Sequence, residues 1–213
     1  TKEKSVTIQV FHRETCRLCD SQNVELVVKL EPIPLSENYC NDSVTGKSAD
    51  RYPIDLYMCA DCGHVHQLDV VDSKSLWENY TYYSGDAKGM PEHFNQVAAK
   101  IIGGYMPPAD ALVIDIGSND GSLLHPFKDA GYRVLGIDPV REIARTATES
   151  GIETIPELMS LSLGQKIHKE LGEAHIVCMF NAFAHADNMG EIAESIRTML
   201  APDGLFVFEA QYL

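Results

Sequence analysis

The sequence contains no apolar run that approaches the ~18–20 residues of a membrane-spanning helix, and no signal-peptide pattern opens it. A membrane protein is thereby excluded, and a cytoplasmic one is the reading that follows. Positive charge is also scarce, with 17 Lys plus Arg against 31 Asp plus Glu and a net charge of −14. A diffuse negative field repels a phosphate backbone, and no basic stripe overrides it, so DNA and RNA are excluded as partners. Small anionic ligands stay open, because local donors in a cleft can outweigh the global charge. An initiator Met is missing, and the chain stops at Leu213 directly after the apolar run GLFVFEAQYL. Domains seldom end on a strand with nothing to cover it, so the expectation is a C-terminally truncated chain. What remains is ordinary globular composition, 45% hydrophobic and 23% charged. Over 213 residues that suffices for one good core plus a small satellite module.

Six cysteines are present, four of them as Cys16-x-x-Cys19 and Cys59-x-x-Cys62 with 39 residues between the pairs. Each short spacing lets one tight turn aim two sulfurs at a single ion, and the long gap closes a loop around it. Four thiolates suit a tetrahedral Zn²⁺ and leave no open position, which makes the site structural. Disulfides or plain thiols are the competing reading, disfavoured by the missing secretory signal. Gly63 fits the turn after the second pair. His64 and His66 lie within reach of the ion but find no vacancy, and surface or supporting roles suit them better. Cys40 and Cys178 are unpaired in sequence, and Cys178 in HIVCMF reads as a small buried hydrophobe. With the strand-like YPIDLYM, residues 1–72 read as a small β-rich zinc-binding module.

Residues 73–108 read as a helical connecting segment in which PEHFNQVAAKIIGGYM carries apolar residues at helical spacing and ends at Gly103-Gly104 and then Pro107-Pro108. From residue 109 strands and helices alternate. The strands are ALVIDIG, RVLGIDP, GIETI, AHIVCMFN and LFVFEA; the helices are GSLLHPFKDAG, VREIARTATESG, SLGQKIHKELG and NMGEIAESIRTMLAPDG. Continuous apolar strands alternating with helices predict an α/β fold, a Rossmann-like doubly wound and mostly parallel sheet covered on both faces. Ligands of such sheets bind at the carboxyl ends of the strands, near the switch in strand order.

The turn after the first of these strands is Gly117-Ser118-Asn119-Asp120-Gly121. A dinucleotide turn needs a middle glycine for close approach of the pyrophosphate, and Asn119 stands there instead. Asp115 and Asp120 would oppose a pyrophosphate and suit an ammonium or sulfonium. No Lys-Ser/Thr pair grips a triphosphate. Asp138, 23 residues after Asp115, ends the second strand where a carboxylate accepts ribose hydroxyls. Either acid alone fits a turn or helix cap; together they favour an adenosyl ligand.

Asp-x-Gly-x-x-x-Gly resembles the first motif of class I S-adenosylmethionine-dependent methyltransferases. Together with LYMCADCGHVHQL, ENYTYYSGDAKGMPEHF, NAFAHADN and FEAQYL, the chain is similar over essentially its whole length to the C-methyltransferases of nucleotide-linked deoxysugars. That resemblance implies a zinc module, a methyltransferase core and a further C-terminal domain, and a small-molecule substrate, a nucleotide-linked keto sugar. It assigns Gly117, Ser118, Asn119 and Gly121 to the methionyl part of the cofactor, Asp115 to orienting the turn, Asp138 to the ribose and the Asn181 backbone to the methionyl amine. His185 and Tyr82 match an active-site histidine and tyrosine; His93 is also matched, with a helix-face role as the alternative. The family continues past FEAQYL with a Tyr-x-Glu-His segment and further strands that this sequence does not contain. Two other readings stay open, a methyltransferase acting on an oxygen or nitrogen nucleophile and a non-catalytic zinc- and cofactor-binding module.

Overall fold

The computed structural model describes residues 8–36, 39, 46, 49–77 and 80–211. Cys40, the residues before position 8, Glu78 and Asn79 of the joining segment, and the final Tyr212 and Leu213 lie outside them. The chain divides into two compact units, one ending at Tyr82 and the other beginning at Tyr83.

In the N-terminal unit, β1 (Val10–His12) pairs antiparallel with β5 (Asp69–Val71). Between them β2 (Val24–Val28), β3 (Leu56–Cys59) and β4 (Val65–His66) form an antiparallel sheet in that order. The short helix α1 (Ser73–Trp77) follows. Among its described residues few apolar side chains are buried. Cys16, Cys59, Leu68 and Val70 are, whereas Phe11, Leu18, Leu26, Val27 and Val28 stay exposed. A unit of this kind depends on something other than a hydrophobic core.

The C-terminal unit begins with α2 (Met90–Tyr105), whose Pro91 sits in the first turn, where its missing N–H costs nothing. Of the two expected stop signals, Gly103-Gly104 and then Pro107-Pro108, the helix runs through the glycines and is capped directly before the prolines by Met106, which takes the left-handed conformation at φ +51°. Each glycine costs the helix about 1 kcal/mol relative to Ala. Packing offsets this, because Ile101, Ile102 and Tyr105 face the core and the Tyr105 hydroxyl donates to the Asp203 carbonyl at 2.7 Å.

Five parallel strands follow: β6 (Leu112–Ile116), β7 (Arg133–Ile137), β8 (Thr154–Ile155), β9 (Ala174–Phe180) and β10 (Leu200–Glu209). Their order in the sheet is β10-β9-β6-β7-β8, so the switch point lies between β6 and β9. Alternate residues of these strands feed two cores. On one face α2, α3 (His125–Asp129) and α4 (Arg141–Glu149) contribute Phe94, Phe127 and Ala147, which meet Val113 and Ile176. On the other, α5 (Leu161–Leu171) and α6 (Met189–Met199) contribute Leu163, Ile167, Ile196 and Met199, which meet Ile114, Leu135 and Val177. This is the doubly wound sheet expected from the alternation. Two helices are shorter than the pattern implied. Pro126 confines α3 to the residues after the turn, since its ring is tolerated only in a first turn. Residues 200–204 of LAPDG join β10 with an irregular register instead of extending α6. Among the described residues no helix is long and apolar enough to cross a membrane.

Candidate functional site

The cysteine pairs sit in two tight turns of like design. Asp20 N–H donates to the Cys16 carbonyl at 2.9 Å, and Gly63 N–H donates to the Cys59 carbonyl at 2.8 Å. The four sulfurs converge within 4.8 Å of one another, with Cys16–Cys62 and Cys19–Cys59 each at 3.7 Å. A disulfide requires about 2.05 Å. A tetrahedral Zn²⁺ with bonds of about 2.3 Å sets its sulfurs about 3.8 Å apart. The donor set therefore fits Zn²⁺, and all four cysteines are unbridged. Their ionisation is uneven without a cation. Against a lowering hydrogen bond from the Ser21 backbone, the neighbouring sulfurs, Cys62 first, hold Cys19 up at about 12. Against desolvation, the Cys62 and Asp61 N–H groups bring Cys59 down to about 7. A dication removes this conflict by stabilising four thiolates at once. His66 is buried with Nδ1 at 3.2 Å from the Gln67 carbonyl, and its ring stacks on His64 at 5.0 Å. Neither histidine belongs to the four-sulfur cluster.

In the C-terminal unit the turn after β6 lies at the carboxyl edge of the sheet, beside the switch point. Gly117 has φ +75°, a region that other residues enter only at a cost, and a methyl group there would stand 2.8 Å from Ala182 Cβ. Asn119 is also left-handed, at φ +51°. Its N–H donates to Asp138 Oδ2 at 2.9 Å, while Asp138 Oδ1 accepts from the Val140 N–H at 2.9 Å. Each of those oxygens keeps a second lone pair. The side chain of Asn119 accepts the Ser84 N–H at 2.8 Å, and that of Asp120 accepts the Gly85 N–H at 2.7 Å. These two side chains thus anchor the Ser84–Asp86 turn, a use that sequence spacing does not reveal.

Asp115 is buried at the end of β6, and its Oδ1, like Ser118 Oγ, is a buried polar atom with no hydrogen-bond partner. Burial first, and then the Asp138 charge, push the Asp115 carboxyl up to about 8. Burial also raises Asp138, against the lowering N–H groups of Val140 and Asn119. Two buried acids and an orphaned hydroxyl around a tight glycine turn form a cradle suited to a polar, cationic ligand. Gly136 of β7 makes room for it: a methyl group there would meet Ser118 Oγ at 2.5 Å and Thr154 Oγ1 at 2.6 Å. Gly136→Ala is accordingly expected to cost about 1–3 kcal/mol of stability. Urea melts of the two proteins compared at neutral pH would reveal it, and an unchanged midpoint would refute the crowding.

Beyond β9, Asn181 is left-handed at φ +52°, and its N–H donates to the Glu209 carbonyl at 2.8 Å. Asn181 Nδ2 donates to Glu209 Oε1 at 3.1 Å, and His93 Nε2 lies 2.8 Å from Glu209 Oε2. His93, in the first turn of α2, therefore has a carboxylate partner in Glu209. His185 ends the short turn Phe183–His185 that follows, and desolvation lowers its pKa. The structure thus gathers Asp115, Gly117, Ser118, Asn119, Gly121, Asp138 and Asn181 along one edge, with His185 four residues beyond Asn181. Tyr82, 39% exposed, is the last residue of the N-terminal unit. Sequence spacing missed Glu209 and Gly136, and LFVFEA marked the former only as part of a strand.

A family model described as "Methyltransferase domain" matches residues 91–212, and one described as "Putative zinc binding domain" matches residues 16–77. The chain belongs to the methyltransferase domain family. Among curated proteins it is similar to the C-methyltransferase NovU of Streptomyces niveus, 31% identical over 200 residues, which is 94% of this chain and 48% of that protein. The chain thus spans about half the length of the curated relative it matches. One solved structure found similar is the PH0226 protein of Pyrococcus horikoshii OT3, with a TM-score of 0.49 and 18% identity, covering 60% of this chain and 57% of that one. Another is the plantazolicin methyltransferase BpumL in complex with SAH, with a TM-score of 0.43 and 15% identity, covering 55% and 45%.

Proposed function

We propose that the protein binds S-adenosylmethionine at the β6 turn and directs its methyl group to a carbon of a nucleotide-linked keto-deoxysugar. The observation that carries the cofactor reading is the buried pair Asp115 and Asp138, set around a glycine turn that leaves Asp115 Oδ1 and Ser118 Oγ without partners. Gly117, Ser118, Asn119 and Gly121 wrap the methionyl part, Asp115 orients the turn, and Asp138 accepts the ribose hydroxyls on its second lone pairs. Asn181 has its N–H committed to Glu209, so its carbonyl is the backbone group it offers to the methionyl ammonium. When bound, S-adenosylmethionine supplies an electrophilic methyl group on a sulfonium.

Methylation at carbon needs a proton removed beside a carbonyl and a donor for the oxygen on which the enolate charge collects. His185, its pKa lowered by desolvation, is neutral at pH 7 and able to accept that proton. Tyr82 serves as the phenol donor to the oxygen. The similarity to a protein named as a C-methyltransferase supports carbon as the acceptor, and the resemblance of NAFAHADN and the tyrosine segment supports the sugar.

Calorimetric titration of the intact gene product with S-adenosylhomocysteine tests the cofactor reading. Binding is expected, weakened at least about tenfold in Asp138→Asn by loss of a charged acceptor. No heat from the wild-type protein would end the reading. With a nucleotide-linked keto sugar and ¹³C-methyl-labelled cofactor, the label should couple to a sugar carbon in the NMR spectrum. A label found on oxygen or nitrogen would sink the C-methylation claim.

A further inference from the structure

The turn after β9 is held by one residue at several points. Glu209 receives the Asn181 N–H on its carbonyl at 2.8 Å and the Asn181 amide on Oε1 at 3.1 Å, and it pairs in register with Phe180. Asn181 needs that support, since a non-glycine residue at φ +52° sits in a sparsely populated region and persists where its surroundings over-determine it. The next residue, Ala182, stands where a methyl group on Gly117 would collide, so the held turn is one wall of the glycine cradle. The second carboxylate oxygen of Glu209 meets His93 Nε2 at 2.8 Å, which ties the wall to the first turn of α2.

We propose that Glu209 is a positioning residue for the cofactor, setting the Asn181–Ala182 wall against the Gly117 turn, with His93 holding the carboxylate in its rotamer. The inference rests on the cofactor reading above for its ligand, but not for its geometry. Glu209 reaches the cradle through Asn181 and Ala182, and it fixes the direction of the Asn181 carbonyl. Neither nearest-neighbour spacing nor the glycine motif points to it, because its partners are 28 and 116 residues away in sequence.

Two measurements on the full chain test this, hydrogen exchange of the peptide spanning residues 178–186 and affinity for S-adenosylhomocysteine. In Glu209→Ala, exchange in that peptide should accelerate while β6 and β7 keep their protection, and affinity should fall at least about tenfold. Glu209→Gln retains an acceptor for Asn181 and a donor for neutral His93, so it should restore protection and bind within about threefold of wild type. Unchanged exchange in Glu209→Ala would overturn the proposal, as would faster exchange with unchanged affinity. If Glu209→Ala does not fold, Asn181→Ala removes the amide contact with Glu209, together with the acceptor of the Gln211 amide. It should shift both readouts in the same direction, and wild-type values in both would overturn the proposal. A wild-type protein that fails to bind the nucleoside would defeat the cofactor reading, while the exchange measurement would still decide whether Glu209 holds the wall.

Discussion

Removing the metal is expected to unfold the N-terminal unit and leave the parallel sheet folded. Structural Zn²⁺ in small thiolate sites contributes on the order of 10–16 kcal/mol near neutral pH. Nothing else on the scale of that contribution is visible among the described residues of the unit. Its buried apolar side chains are Cys16, Cys59, Leu68 and Val70, and two of those are metal ligands. Once the ion is gone, four sulfurs spaced at 3.7 Å and more hold one another only as weak donors and acceptors. The single tryptophan, Trp77 in α1, belongs to this unit. Chelation should therefore change its fluorescence, while hydrogen exchange of β6, β7 and β9 stays slow. Metal analysis should find roughly one zinc per chain. Fluorescence and exchange that are both indifferent to a strong chelator would show that the cysteines hold no structural ion.

Asp115→Asn is expected to stabilise the fold and cripple cofactor binding at the same time. The carboxyl of Asp115 is buried with one oxygen unpartnered, and its pKa is about 8 against an ordinary 3.8. Between those values the folded chain keeps a proton that the unfolded chain has released. Stability must then fall as pH rises from about 4 to about 8, and the penalty is complete above pH 8. Asparagine removes the penalty, so the variant should melt higher at pH 8 and lose its advantage near pH 4. Each pKa unit recovered is worth about 1.4 kcal/mol, and each kcal/mol about 2–4 °C in a chain of this size.

The same carboxylate becomes an asset when a sulfonium or ammonium lies nearby, because a cation favours the ionised form. Binding then releases a proton below pH 8, so affinity for S-adenosylmethionine should rise between pH 6 and pH 8 in the wild type. In Asp115→Asn that slope should flatten and affinity should drop by roughly 10- to 100-fold, the worth of a charged hydrogen bond. Melting curves and titrations at three pH values check both halves. A variant less stable than wild type at pH 8 would refute the account of Asp115 as an unpaired buried acid.

Much of this is legible in the sequence. The spacing of Cys16, Cys19, Cys59 and Cys62 anticipated their convergence, because a C-x-x-C turn is a local structure and two of them need only meet once. The alternation of apolar runs with amphipathic segments anticipated the parallel sheet. Helix ends were read less well. Of the stop signals Gly103-Gly104 and Pro107-Pro108, α2 passes through the glycines, because Tyr105 and two isoleucines gain more from packing than the glycines cost, and ends before the prolines. The turn motif located Asp115 and Asp138, but not that one of them would be left with an unpaired oxygen.

From the sequence alone came the elements that depend on neighbours in the chain: the two knuckles, the strands and helices, the glycine turn and the acids that flank it. Tertiary structure decided what depends on distant partners. Strand order set β9 beside β6, and Ala182 in the turn that follows β9 came to stand against Gly117. The end of β10 brought Glu209 to Asn181 and His93. Gly136 proved necessary because Ser118 and Thr154 crowd it from other segments. Burial, which no short window of residues reports, turned Asp115 from an ordinary acid into one that holds its proton to about pH 8.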